Sequence, residues 1–567
     1  MKKTLSKKRY LIVCIVSIFL GACSKSDSTP TEDDTPDVNS TETINITGTI
    51  QYERVPFSTS TYGLDYDNII TLPVRGAVVE ALDGAGDVVA TSTTSDEGTY
   101  SVTVPQDSAV QISVKAQTLS DATAKWDIEI RDNTNDGGLY LLQGSLSSSD
   151  TSADSIRNLT ATTGWDGSSY SGTRASAPFA ILDTAYDVVM KIVAVDSNVN
   201  MDDVDIFWSK DNSTASGELS DGEIGTSFYS GDQLYILGKE DVDTDEFDDH
   251  VIIHELGHYF EDNLSRSDSI GGAHSLDNIL DMRVALGEGF GNAFSGMVSD
   301  DPIYSDTSGA QQGLGFILDV DDNSNTNPGW YSEGSVQAIL YDIYDADEDE
   351  GDTVALGFAG IYQAMTSSDY INQTSMTSIF SLIDEVKTLN PTSETAIDTL
   401  VEGQTFDTNY GIDPITDKFG TDETHNAEVE SNLDVYKSIS ADALPVKLCS
   451  HADSQEYNGL GTRQFLRLDI TTAGSYIITA DFVATGNDIL EANSDPDFVL
   501  YLNGEVAGGI NGGTSGNGGS LEVGSETSTV SLEEDEYILE VYDYSNVDDD
   551  ESEVNGTACF NVTVTNS

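Results

Sequence analysis

The chain has 567 residues, too many for one core, and at the usual domain size it divides into roughly three domains. Hydrophobic residues make up 38 % of it, with 25 Tyr and 18 Phe, which suits folded domains and argues against a disordered chain. Against 24 basic residues stand 99 acidic ones, a net charge of −75, so the surface repels nucleic acid and no nucleic-acid partner is expected.

The N-terminus reads as a targeting segment. Lys2, Lys3, Lys7, Lys8 and Arg9 precede an apolar run over 10–20, too short to span a bilayer as a stable helix. The run ends in Leu20-Gly21-Ala22-Cys23, which resembles the lipobox of bacterial lipoproteins. That resemblance implies removal of 1–22, lipid on Cys23 and, with Ser24 next, an outer-membrane lipoprotein facing the periplasm or the cell surface. The membrane is then touched through this lipid alone. Residues 23–42 are Ser, Thr, Pro and acid, a solvated tether.

Over 43–118, short alternating runs separated by Gly and Asp predict a β-sandwich: 46–50, 77–82, 88–91 and 100–104. The stretch TSTTSDEGTYSVTVP resembles carboxypeptidase regulatory-like (transthyretin-like) domains, which implies a structural module. Residues 119–175 form a β-rich bridge, with strands expected at 125–131 and 139–146.

The segment 176–435 changes character. Helical periodicity appears over 178–193, 247–264, 282–298, 335–344 and 355–365, with strands expected at 204–208 and 234–237. Five of the six histidines lie here, at 250, 254, 258, 274 and 425. Asp243 with Glu246 offers an N-cap for the second helix. That helix carries Val251-Ile252-Ile253-His254-Glu255-Leu256-Gly257-His258. Residues four apart share a helix face, so His254 and His258 can reach one zinc ion at about 2.0–2.1 Å. Glu255, one step round, can reach a water on the metal and act as its general base. His250 continues the same stripe and reads as a helix-end residue, because i, i+4 and i+8 do not converge on one ion.

A catalytic zinc needs a third protein ligand. Metzincins place Gly and His three and six residues after the second histidine, where this chain has Glu261 and Leu264. A glutamate on the next helix fits better: Leu286-Gly287-Glu288-Gly289-Phe290-Gly291-Asn292-Ala293-Phe294. Three helical glycines cost about 1 kcal/mol each against alanine, an expense that makes sense where two helices approach closely. HELGH followed by GEGFGNAF resembles the gluzincins, the thermolysin- and fungalysin-like metallopeptidases. The resemblance implies peptide-bond hydrolysis, Glu288 as third ligand, and Asn292 where the family has an aspartate holding the first histidine. His274, in a Gly-rich loop, is the rival third ligand. The oxyanion donor falls to Tyr331, with His274 and His425 in reserve. The substrate is expected to be a protein or peptide, added as a strand along an edge at 228–237. Calcium is a further candidate cofactor, at the acidic runs 319–323 and 345–352; Ser324 stands where an EF-hand needs Gly.

From 440 to 567 alternation returns, and FLRLDITTAGSYIITA, DPDFVLYLNG and EDEYILEVYDY resemble the prepeptidase C-terminal domains of secreted bacterial peptidases. Cys449 and Cys559 are expected to form a disulfide closing this domain. The fold class is thus multidomain, an α+β zincin-like catalytic domain flanked by two β-sandwich domains. The alternative function is a surface adhesion or scaffold lipoprotein whose zincin domain has lost its chemistry; the intact Glu255 weighs against it.

Overall fold

The computed structural model describes residues 42–149, 155–346, 353–404, 411–423, 434–452, 457–483, 494–507, 524–547 and 556–567. The lipobox, Cys23, all but the last residue of the tether, His425 and most of the acidic run 345–352 lie outside the described residues. No helix among the described residues is long and apolar enough to cross a membrane.

The N-terminal alternation is realised as strands. Thr43–Arg54 buries Ile44, Ile46, Ile50 and Tyr52. It pairs antiparallel with Thr99–Pro105 and Ile70–Pro73, and parallel with Ser155–Ile156 and Leu159–Ala161. A second, ten-stranded sheet runs from Phe228–Tyr229 at one edge through Gln233–Ile236, Val204–Trp208, Lys125–Asp132, Ala109–Asp121 and Ala77–Asp83 to Val88–Thr93. This sheet crosses the boundaries expected at 118 and 175. Alternation identifies a strand but not its partner, and here Lys125–Asp132 continues in parallel onto Val204–Trp208. One hydrophobic core therefore runs from Ile46 in the first strand to Phe260 and Ile339 in the helical segment.

Four helices position the site: α1 (Ala177–Val195), α2 (Asp249–Leu264), α3 (Met282–Ser299) and α4 (Glu333–Tyr344). α3 packs between α2 and α4 and is buried from Met282 to Val298. The cap of α2 differs from expectation. Asp243–Thr244 is a short strand, and the N-cap is Asp248. The Asp248 carboxylate does not cap the helix; it accepts from the backbone N–H of Thr307 at 3.0 Å and its hydroxyl at 2.8 Å. Tertiary pairing with the strand Ile303–Ser308 has overridden the local capping pattern.

The C-terminal part forms two stacked antiparallel-rich sheets around a core of its own, including Leu466, Phe498, Leu500, Leu539, Phe560 and Val562. Cys449 and Cys559 face each other on the paired strands Val446–Ser450 and Ala558–Asn566 and are joined as a disulfide. The molecule is thus multidomain and rich in β-sheet, with the longer helices among the described residues gathered in the middle of the chain.

Candidate metal centre

On α2 the apolar residues Ile252, Ile253, Leu256 and Phe260 are buried in the core. The stripe His254, Glu255 and His258 is left to line a cavity of about 740 Å³. The two imidazoles, one turn apart, bring their Nε2 atoms to 3.1 Å. From α3, Glu288 Oε2 comes within 3.3 Å of His254 Nε2 and 3.4 Å of His258 Nε2. The ligand atoms of these three residues all lie within 4.8 Å of one another, a group able to hold a metal ion.

Glycine lets the helices close over this point. A Cβ on Gly291 would meet the His254 ring at 2.8 Å, and one on Gly257 would meet the Gly291 Cα at 3.2 Å. A Cβ on Gly289 would strike the Val336 side chain of α4 at 2.5 Å. Gly287 has only ordinary neighbours, at 3.5 Å or more, so packing does not demand glycine there.

Each imidazole is oriented by a second group. His254 Nδ1 lies 2.9 Å from Asn292 Oδ1, and Asn292 Nδ2 donates to Gln337 Oε1 of α4 at 3.0 Å, which turns the amide oxygen toward the histidine. His258 Nδ1 lies 3.3 Å from Glu261 Oε2. With both Nδ1 atoms donating outward, the neutral rings present their Nε2 lone pairs to the same point. Two lone pairs 3.1 Å apart beside a carboxylate need a cation or a proton between them, so the donor set fits a metal ion.

The same conflict marks the titration of the metal-free cluster. Burial opposes the charged form of His258, yet the Glu288 carboxylate and the acceptor oxygens of Glu261 and Glu288 lift it well above the ordinary imidazole range. Burial also opposes the Glu288 carboxylate, and the His258 charge with the adjoining imidazoles of His254 and His274 holds it well below the ordinary range. Glu255 is pushed up by burial. Its carboxylate is supported by the backbone N–H of Tyr229, which belongs to the outermost strand of the ten-stranded sheet.

The remaining sequence candidates are distributed unevenly. His274 stands at the cavity, Nε2 3.0 Å from Glu288 Oε2 and Nδ1 2.7 Å from Glu333 Oε2. Burial lowers it, but those two carboxylates raise it to about 10. It lies beside the three-residue group and is not a member of it. Tyr331 does not reach the cavity. Its side chain is fully buried against Trp330, and its hydroxyl donates to the Pro328 carbonyl at 3.4 Å. The segment just before α4 turns its aromatic pair into the core, so Tyr331 cannot take the oxyanion role expected of it. His250 is buried with Nδ1 3.0 Å from Ser295 Oγ, a helix residue outside the cluster, as its spacing implied. In the acidic run 319–323, Asn323 bonds to Asp342 and Gln404, and Asp322 accepts from the Ser324 backbone.

Some residues around the site were not singled out from the sequence. Glu261, behind His258, stands three residues after it, so helix geometry alone could have marked it as a partner. Gln337 of α4 reaches Asn292, and at the cavity Glu333 opens α4 while Tyr304 and Asp306 come from the distant strand Ile303–Ser308; nothing local announces them. Asp243, Asp245 and Asp306 form an acidic wall. Burial and like-charged neighbours push Asp245 well up, and Asp306 to about 7. The expected edge reaches the cavity: Thr226, Ser227, Phe228 and Tyr229 line it, as do Phe316 and Leu318 of the strand Leu314–Asp319.

Residues 196–394, which contain α2, α3 and α4, match the family model described as the Mycolysin C-terminal domain. That relates the segment to a peptidase-associated family. No curated protein matches the chain. Among solved structures, the pre-peptidase C-terminal domain of a collagenase from Bacillus anthracis is 14% identical, with 25% of this chain and 99% of that one covered, at a TM-score of 0.15. A surface-associated copper-binding protein of Methylomicrobium album BG8 is 10% identical, with 23% and 98% covered, at 0.16. A periplasmic lysozyme inhibitor of Aeromonas hydrophila is also 10% identical, with 23% and 98% covered, at 0.13. Scores this low carry no structural argument.

Proposed function

We propose that the chain is a zinc metallopeptidase of gluzincin type, in which His254, His258 and Glu288 hold the ion and Glu255 is the general base. The observation that carries this reading is the convergence of both Nε2 atoms and Glu288 Oε2 on one point, with Glu255 beside it at the same cavity. When bound, zinc supplies Lewis acidity, acidifying a water and polarising the scissile carbonyl. Glu255, steadied by the Tyr229 N–H, takes a proton from the attacking water and passes it to the leaving amine. A peptide extends along the free side of Phe228–Tyr229, with apolar side chains against Phe316 and Leu318. His274, held at Nδ1 by Glu333, would turn its Nε2–H from Glu288, 3.0 Å away, toward the carbonyl oxygen as negative charge develops there.

The lipobox extends the proposal to lipid attachment at Cys23, with hydrolysis carried out at an outer-membrane surface. The test of the activity is casein hydrolysis by the purified full chain. It should disappear with a zinc chelator and return on adding zinc, whereas hydrolysis indifferent to both treatments would remove the metal from the account.

A further inference from the structure

On the far wall of the same cavity, the short strand Asp243–Thr244 and the strand Ile303–Ser308 bring three carboxylates together. One oxygen from each of Asp243, Asp245 and Asp306 lies within 4.8 Å of the others. That spacing is compatible with the width of an ion held by oxygens at about 2.4 Å on either side. The strongest charged neighbours of Asp245 are Asp243, Asp306 and Asp248, all of the same sign. Asp245 is 3% exposed and its Oδ1 has no hydrogen-bond partner; its other oxygen accepts from the Ser227 hydroxyl. Two further oxygens in the immediate surroundings are also buried without a partner: Asp248 Oδ1, and Oε1 of Gln312, whose side chain lies beside Asp243 and whose amide donates to the Thr307 carbonyl at 2.8 Å. Asp248 and Gln312 are each 1% exposed.

Leaving several carboxylate oxygens buried and unpaired is costly unless a cation joins them. We propose that Asp243, Asp245 and Asp306 bind a hard divalent cation, calcium in the first place, at a site separate from the histidine centre. The donors are all oxygens, with no imidazole or thiolate, which selects calcium over zinc. Gln312 Oε1 and water from the cavity complete the shell. The cation would tie Asp243 and Asp245 to the Ile303–Ser308 strand just ahead of Asp248, the residue at which α2 starts. It would thus brace the helix that carries His254 and His258, and the site stands whether or not the histidine centre hydrolyses peptides.

The test uses the full chain, first loaded with zinc and then dialysed against 1 mM CaCl₂ (about the weak end of calcium affinities in extracellular modules). Bound calcium is counted by mass spectrometry, and the melting temperature is read with and without calcium. Wild type should hold one calcium more per chain than Asp306→Asn or Asp245→Asn. Its melting temperature should rise by about 3 °C or more in calcium, and the rise should vanish in both variants. Asp306 is only partly buried, so Asp306→Asn keeps the test open if Asp245→Asn fails to fold. Equal calcium content in wild type and Asp306→Asn would overturn the site, placing any bound calcium elsewhere. So would a wild type that takes up none, in which case Asp243 and Asp245 share a proton instead.

Discussion

The Nδ1 atoms of His254 and His258 face the outward acceptors Asn292 and Glu261, and the consequence is two Nε2 atoms turned to the same point, 3.1 Å apart. The identity of these outward acceptors sets how well the rings serve as ligands. Asn292 offers a neutral oxygen where a carboxylate would raise the basicity of His254 further. Asn292→Ala should therefore weaken zinc binding by about 10–100-fold, read by competition with a chromophoric chelator, and Asn292→Asp should restore or tighten it. His274 separates two roles that sequence alone left open. If it donates to the carbonyl oxygen, His274→Ala keeps its zinc and loses about 10²–10³ in kcat. Loss of zinc from that variant would make it a ligand and contradict the present assignment.

At the scale of elements, the site depends on how closely α3 lies over α2. A methyl group on Gly291 cannot be accommodated without moving the His254 ring, whereas one on Gly287 meets only ordinary contacts. Gly291→Ala should cost about 1–3 kcal/mol from overpacking and drop zinc content well below one per chain. Gly287→Ala should be neutral or stabilise by up to about 1 kcal/mol, through helix propensity. Metal content and melting temperature of the two variants side by side decide the point; equal zinc loss in both would show that glycine spacing is not what sets the helix approach. The HExxH spacing and the glycine-punctuated helix after it were legible in the sequence because both are local, repeating with the period of one helix. The cap of α2 was not. Asp243 has the right spacing for a capping box, but Asp243–Thr244 pairs as a strand and Asp248 is drawn off to Thr307. Tyr331 differs from expectation for a similar reason: its position in the chain resembles that of a cavity residue, while its ring packs into the core beside Trp330.

Over the whole molecule, the C-terminal sandwich does more than trail behind the helical segment. Asn458 donates to the carbonyls of Gly271 and Ala273 at 3.1 Å, clasping the loop that carries His274. Arg283, at the start of α3 and 2% exposed, pairs with Asp281 and with Glu540 of the sandwich. These contacts join residues up to 257 positions apart, and no periodicity or spacing could have announced them. The strands and the disulfide of this part were readable, since alternation and two leftover cysteines suffice; its attachment to the site was not. The excess of acid has a thermodynamic consequence here as well. Burial, then Asp495, Glu526 and Asp543, raise Asp497 from its ordinary 3.8 to about 7. The folded chain thus holds this proton more tightly than the unfolded one, so the contribution to stability is complete below about pH 4 and is lost as the pH rises through about 7. Asp497→Asn should stabilise the protein at pH 8 by on the order of 2 kcal/mol and flatten the fall in melting temperature between pH 5 and pH 8. A variant that keeps the full slope would assign that slope to other groups.

The proposed hydrolysis depends on Glu255 acting as a base next to a metal it does not hold. Its most direct test is the casein-hydrolysis rate of Glu255→Gln against wild type, each shown to carry one zinc per chain. The expected result is equal zinc and a rate lower by about 10²–10⁴; a variant with one zinc and undiminished hydrolysis would contradict it.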